Sequence, residues 1–203
     1  MVTMQTDSLI SKRAEIYRLL SLMYKEPGED LSLFVHLLKE SLKETDDEKL
    51  LEISDEMNGI FADESQSLTD YEIEYARLFV GPFKLMAPPY SSIYLEDKWE
   101  VMGRSTQTIE SFYQRGGLCI QAMTSKPADH ICIQFEFMYY LNFKLIETGD
   151  LDYVELQKEF LYKILTHWVP KFNDAIQEHA DLAIYKHLGN LTERFIQLDY
   201  SSL

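Results

Sequence analysis

The chain has 203 residues, with 34 acidic against 19 basic side chains and a formal net charge of −15. That balance excludes a nucleic-acid binder, because each phosphate contact needs a cation, and it excludes a polybasic membrane anchor. At 46% hydrophobic and 13% aromatic the chain is too apolar for disorder, and with 8 glycines and 6 prolines it has few backbone breakers, which favours long helices.

Apolar positions recur at helical spacing along most of the chain. Leu9, Ile16, Leu20, Met23 and Tyr24 mark a first helix behind Asp7 or Ser8, and Leu31, Phe34, Leu37 and Leu38 mark a second capped by Asp30. Thr45 with Glu48, and Thr69 with Glu72, have capping-box spacing and predict helices through Met57 and Phe79, the latter stopped by Gly81-Pro82. From Gly81 to about Arg104 three prolines, Pro82, Pro88 and Pro89, break the pattern. This long connection also carries Phe83, Tyr90, Ile93, Tyr94 and Trp99, too many aromatics for a disordered loop. A helix then spans 105–114 and ends at Gly116-Gly117. Pro127 fits the first position of another, which is apolar almost all round, is interrupted by Gln134, Glu136, Asn142 and Lys144, and stops at Gly149. Further helices are expected over about 152–167, after Pro170, and over 182–198. The predicted fold is all-α, one bundle of about eight or nine helices over 1–203, with any subdomain or swap hinge in the 81–104 connection.

No secretory signal opens the chain, and no run approaches the eighteen or so apolar residues of a membrane span. Cys119 and Cys132 lack C-x-x-C spacing and read as free thiols of a cytoplasmic protein. There is no phosphate-binding glycine loop, no H-E-x-x-H and no E-x-x-H, and the five histidines (36, 130, 167, 179 and 187) have no metal-ligand spacing. No cofactor, metal or catalytic residue is therefore expected. Asp46-Asp47-Glu48 allows one alternative, a magnesium-dependent all-α enzyme, although acids in the first turn of a helix need no metal to explain them.

Three clusters remain. Tyr75, Leu78 and Phe79 share one helix face, as ordinary core residues would. The proline-stiffened aromatics Phe83, Tyr90 and Tyr94 suit either recognition of a partner's apolar segment or filling of the bundle. Lys126-Pro127-Ala128-Asp129-His130 has the makeup of a helix start. His130, which titrates near neutrality, is unhelpful at the positive end of a helix.

In this order the clusters resemble the TorD/DmsD family of redox-enzyme maturation chaperones. Tyr75-x-x-Leu78-Phe79 is similar to the family's aromatic-x-x-Leu-Phe motif, and Pro127-Ala128-Asp129-His130 to its Glu-Pro-x-Asp-His motif from the proline onward. Phe79-Val80-Gly81-Pro82, Pro88-Pro89-Tyr90, Gly103-x-Ser105-Thr106, His167-Trp168-x-Pro170-x-Phe172 and Tyr185-x-x-Leu188-Gly189 extend the likeness over most of the chain. Lys126 stands where the family often has Glu, and so replaces a carboxylate with an ammonium.

The resemblance implies a cytoplasmic chaperone rather than an enzyme, and the long 81–104 connection permits either a monomer or a domain-swapped dimer. Its partner would be the twin-arginine leader and precursor of a molybdopterin oxidoreductase of the dimethyl sulfoxide or trimethylamine N-oxide reductase type, held until its cofactor is inserted. On that reading Asp129 faces a leader arginine and His130 hydrogen-bonds nearby. Tyr75, Leu78, Phe79, Phe83, Tyr90 and Tyr94 line the apolar part, while Pro89, Gly103 and Pro127 set backbone shape. A general helix-binding adaptor is the remaining alternative. Charge is unevenly spread: residues 40–75 hold 13 acids and two lysines, net −11, whereas 76–130 hold five acids and six bases, net +1. The acidity is therefore expected to steer a basic peptide at long range rather than to form its groove.

Overall fold

The computed structural model describes residues 2–62, 66–81, 85–96, 102–118 and 126–203, with side chains from Ser8 onward. The expected Phe83 and Trp99 lie outside the described residues. The helices are α1 (Val2–Met23), α2 (Leu31–Leu42), α3 (Glu48–Ile60), α4 (Leu68–Tyr75), α5 (Ser91–Leu95), α6 (Arg104–Arg115), α7 (Ile131–Thr148), α8 (Asp152–Phe160), α9 (Thr166–His179) and α10 (Ala183–Ser202). A π-helical turn, Ala76–Val80, prolongs α4, and another, Leu161–Leu165, joins α8 to α9 without a break. The described residues thus form nine separate helices, and the fold is all-α. Their one β-type pairing is an isolated antiparallel bridge between Tyr90 and His130.

Several boundaries differ from the sequence pattern, each for a local reason. Val2–Thr6 contain no glycine or proline, and α1 starts at Val2 rather than behind Asp7. Asp47, not Thr45, caps α3: its Oδ1 accepts from Leu50 N at 3.0 Å, while the Thr45 hydroxyl turns back to Leu42 O at 2.6 Å. The α4 capping box is Ser67 with Asp70, two residues before the expected pair, and both reciprocal bonds are made. Pro170 does not stop α9. It removes only the bond to Thr166 O, and the wide π turn immediately before Thr166 already loosens the backbone there.

The most consequential difference is at α7. Its N-cap is His130, not a residue before Pro127, and Pro127–His130 form a turn closed by His130 N to Pro127 O at 3.1 Å. Tertiary bonds to the Asp129 carbonyl and carboxylate hold that turn out of the helix. At the other end Gly149 takes φ +67°, the left-handed cap its position predicts.

In the packing, α7 lies along α1 and α8, and α10 lies between α9 and α3. The largest fully buried side chains include Tyr17, Tyr24, Phe135, Phe160, Trp168 and Phe172. Among the described residues no helix is long and apolar enough to cross a membrane. Among the described residues no group of three or more His, Cys, Asp or Glu is placed to hold a metal. Within the acidic triplet, Asp47 is engaged by Leu50 N and by the Arg194 guanidinium, at 2.6 Å.

Candidate functional site

Pro88 and Pro89 lack N–H groups, so the segment before α5 has no backbone donor at these two positions. It pairs with the turn before α7: Ile131 N donates to Pro89 O at 2.9 Å, and Ser91 N to Asp129 O at 3.0 Å. Asp129 is fully buried in this joint. Its Oδ2 accepts from the Ser92 hydroxyl and from Ser92 N at 3.4 Å, and its Oδ1 has no hydrogen-bond partner among the described residues. Gln134, a polar interruption of the apolar helix, proves to be the hub of the joint. Its Nε2 donates to Ser91 Oγ and Asp129 O, both at 2.9 Å, and its Oε1 accepts from Trp168 Nε1 at 3.0 Å.

Tyr94 closes the joint on the α9 side. Its ring stacks on Trp168 with centroids 5.8 Å apart and lies 6.0 Å from Phe172, and its carbonyl accepts from Lys171 Nζ at 2.8 Å. On the α1 side, Tyr75 Oη at 3.3 Å and Cys132 Sγ at 3.2 Å donate to the same carbonyl, Tyr24 O. The Tyr24 ring in turn contacts Phe79 and Phe172. Tyr75 of the first motif and Cys132, two residues beyond the second, therefore meet at the Tyr24 carbonyl. Tyr75, Leu78 and Phe79 are buried, as the core reading of their spacing anticipates, and Leu78 O accepts from Ala87 N at 2.9 Å.

His130 contradicts the objection that a histidine is unhelpful at a helix start. Its Nδ1 accepts from Cys132 N at 3.1 Å, so the ring caps α7 in its neutral form. Burial, reinforced by the positive charges of Lys126 and Lys25, lowers its pKa to about 3. Tyr90 packs edge-on against it at 5.2 Å. Burial also pushes the Cys132 thiol up to about 12. Burial thus holds both groups in their neutral forms.

Gly103 lies apart, at the N-cap of α6. A Cβ there would sit 2.3 Å from Glu96 Oε1, the atom that accepts from Ser105 N at 2.7 Å and Ser105 Oγ at 2.6 Å. The glycine leaves room for a carboxylate from a neighbouring segment to cap the helix. Gly103→Ala is expected to lower the melting temperature by several degrees, and Gly103→Ala with Glu96→Ala to lose less than the two single losses added; thermal unfolding of the three variants tests this.

Residues that sequence reasoning did not pick out are Tyr24, Ser92, Gln134, Trp168 and Phe172. Only Gln134 carried a signal of its own, an uncharged polar residue on an apolar face. Trp168 and Phe172 entered as part of the resemblance.

Comparison with known proteins places the chain in a family. A family model described as nitrate reductase delta subunit matches residues 29–174, which contain both motifs and the joint. The chain is 27% identical over 215 residues to a chaperone protein TorD of Aliivibrio salmonicida, covering 98% of each chain. It is 30% identical over 117 residues to a Tat proofreading chaperone DmsD of Salmonella typhi, covering 58% of this chain and 54% of that one. Its fold resembles a structure from Archaeoglobus fulgidus described as a redox enzyme maturation protein, with TM-score 0.56, 19% identity and coverage of 91% and 93% of the two chains. The chain belongs to the TorD/DmsD family of chaperones, within the reach of the nitrate reductase delta subunit model.

Proposed function

We propose that the protein is a cytoplasmic chaperone that binds the twin-arginine leader of a molybdopterin oxidoreductase, of the dimethyl sulfoxide or trimethylamine N-oxide reductase type, and holds the precursor until its cofactor is inserted. Its family and its relatives' names support the chaperone part. One observation carries the leader part: a fully buried carboxylate, Asp129, has one oxygen without a partner among the described residues, beside an aromatic floor. A buried anion left half-satisfied gains strongly from a cation that brings its own hydrogen bonds, and a guanidinium fork meets both oxygens of a carboxylate. The apolar stretch of a leader matches the rings of Trp168 and Phe172.

The acidic 40–75 region raises the encounter rate of a basic peptide, an effect that falls with added salt. To test the arginine pairing, affinity is measured for a twin-arginine leader peptide and for its lysine–lysine version. The expected result is about tenfold weaker binding of the lysine peptide, because an ammonium cannot form the fork. Equal affinities would remove Asp129 from this role.

A further inference from the structure

A leader can touch Phe79, Phe172 or Asp129 only if something first comes off them, since all three are buried. The described element best placed to come off is the segment from Met86 to Leu95, which contains only the five-residue helix α5. We propose that this strap fills the client groove in the free protein, and that an arginine-bearing apolar segment of the client displaces it. The arginine end of that segment would lie at Asp129 and its apolar end on Trp168 and Phe172. The proposal rests on the leader-binding reading above and adds the location, direction and competitor of the bound segment.

Three independent features support it. The strap is fastened by individually replaceable contacts: Ser92 to Asp129, Ser91 to Gln134 and Asp129, Ala87 N to Leu78 O, Ile131 N to Pro89 O, Lys171 to the Tyr94 carbonyl, and the ring contacts of Tyr90 with His130 and of Tyr94 with Trp168 and Phe172. Its closure also leaves polar groups unpaired. Of the four buried side-chain atoms without a hydrogen bond among the described residues, Tyr94 Oη is on the strap, Asp129 Oδ1 belongs to its anchor, and Thr106 Oγ1 is on α6, which packs against α5. Native joints rarely leave such groups without a partner, and an incoming guanidinium supplies donors for Asp129 Oδ1 while opening frees Tyr94 Oη to reach water.

The strap also has the polarity of the segment proposed to replace it. A donor at Ser92 meets the carboxylate, and two residues later an apolar ring at Tyr94 meets Trp168. A leader whose arginines precede its apolar stretch presents the same order in the same chain direction, with a stronger donor.

Hydrogen exchange of the full-length protein, with and without a twin-arginine leader peptide, tests the idea together with peptide affinities. The amides of Ala87 and Ser91 are expected to exchange faster when peptide is bound. Ser92→Ala, which weakens only the closed state, is expected to bind peptide about tenfold more tightly, because less of the binding energy goes into opening. Lys171→Met, at an exposed position, is expected to tighten binding about twofold and provides the test if Ser92→Ala fails to fold. A simple structural role for either residue predicts weaker binding. Slower or unchanged exchange at Ala87 and Ser91, or binding by both variants that is no tighter, overturns the displacement while leaving leader binding in place. Failure of the wild type and both variants to bind the peptide at all overturns the leader reading, and the strap proposal with it.

Discussion

Asp199→Ala is expected to cost about 3–5 kcal/mol of stability, because it strands a guanidinium inside the bundle. Asp199 is 3% exposed and accepts from both Arg13 Nε and Arg13 Nη2, the latter at 2.8 Å, and from the Tyr17 hydroxyl. Arg13 Nη1 reaches Asn142 Oδ1 at 2.7 Å and also Gln157 Oε1. One arginine thus ties α1 to α7, α8 and α10. Removing the carboxylate leaves the cation only neutral acceptors and takes away the acceptor of the fully buried Tyr17 hydroxyl. The cost is that of breaking a pair, not the net worth of the pair. Arg13→Met combined with Asp199→Leu should therefore be clearly less destabilised than the sum of the single substitutions. Urea unfolding of the three variants measures this. Strict additivity would mean that the network is not a coupled unit.

That network and the strap joint explain what the sequence revealed and what it hid. Helix existence was legible, because apolar residues three and four apart fix which face turns inward. Gln134 and Asn142 were visible as interruptions of an apolar helix, yet their partners lie 34 residues and 129 residues away in the chain, at Trp168 and Arg13. No local pattern encodes such pairs. The start of α7 was misplaced for the same reason. Pro127 and Asp129 fit a first helical turn by local rules, but the bonds from Ser91, Ser92 and Gln134 to Asp129 hold them outside it. Caps at Asp47 and Ser67 were missed by two residues each, where alternative Ser/Thr/Asp pairs compete and the tertiary partner decides, Arg194 in the case of Asp47. The site motifs became legible only in combination. Each alone reads as packing or capping, and burial of Tyr75, Leu78 and Phe79 shows that packing is indeed part of their work.

Acid should destabilise this protein through His130 before its carboxylates begin to titrate. In the unfolded chain the ring has its ordinary pKa of 6.5, whereas in the fold burial, with Lys126 and Lys25, lowers it to about 3. Above pH 6.5 both states hold the ring neutral, and stability is insensitive to it. Below 6.5 the unfolded chain takes up a proton that the native state refuses, so stability falls by about 1.4 kcal/mol per pH unit until the folded pKa is reached. From pH 6.5 to pH 5 this is a loss of about 2 kcal/mol, in a window where ordinary carboxylates stay ionised. The geometry makes the refusal specific. Nδ1 already accepts the Cys132 amide, and a proton there would replace the cap with a repulsion at the positive end of α7. Asparagine preserves an acceptor at the N-cap without a titrating ring. His130→Asn is therefore expected to gain about 2 kcal/mol relative to wild type as the pH is lowered from 7 to 5, whatever its offset at neutral pH. Urea unfolding at a series of pH values gives the difference directly. A constant difference across that range would show that His130 is not held neutral and would require a different cap for α7.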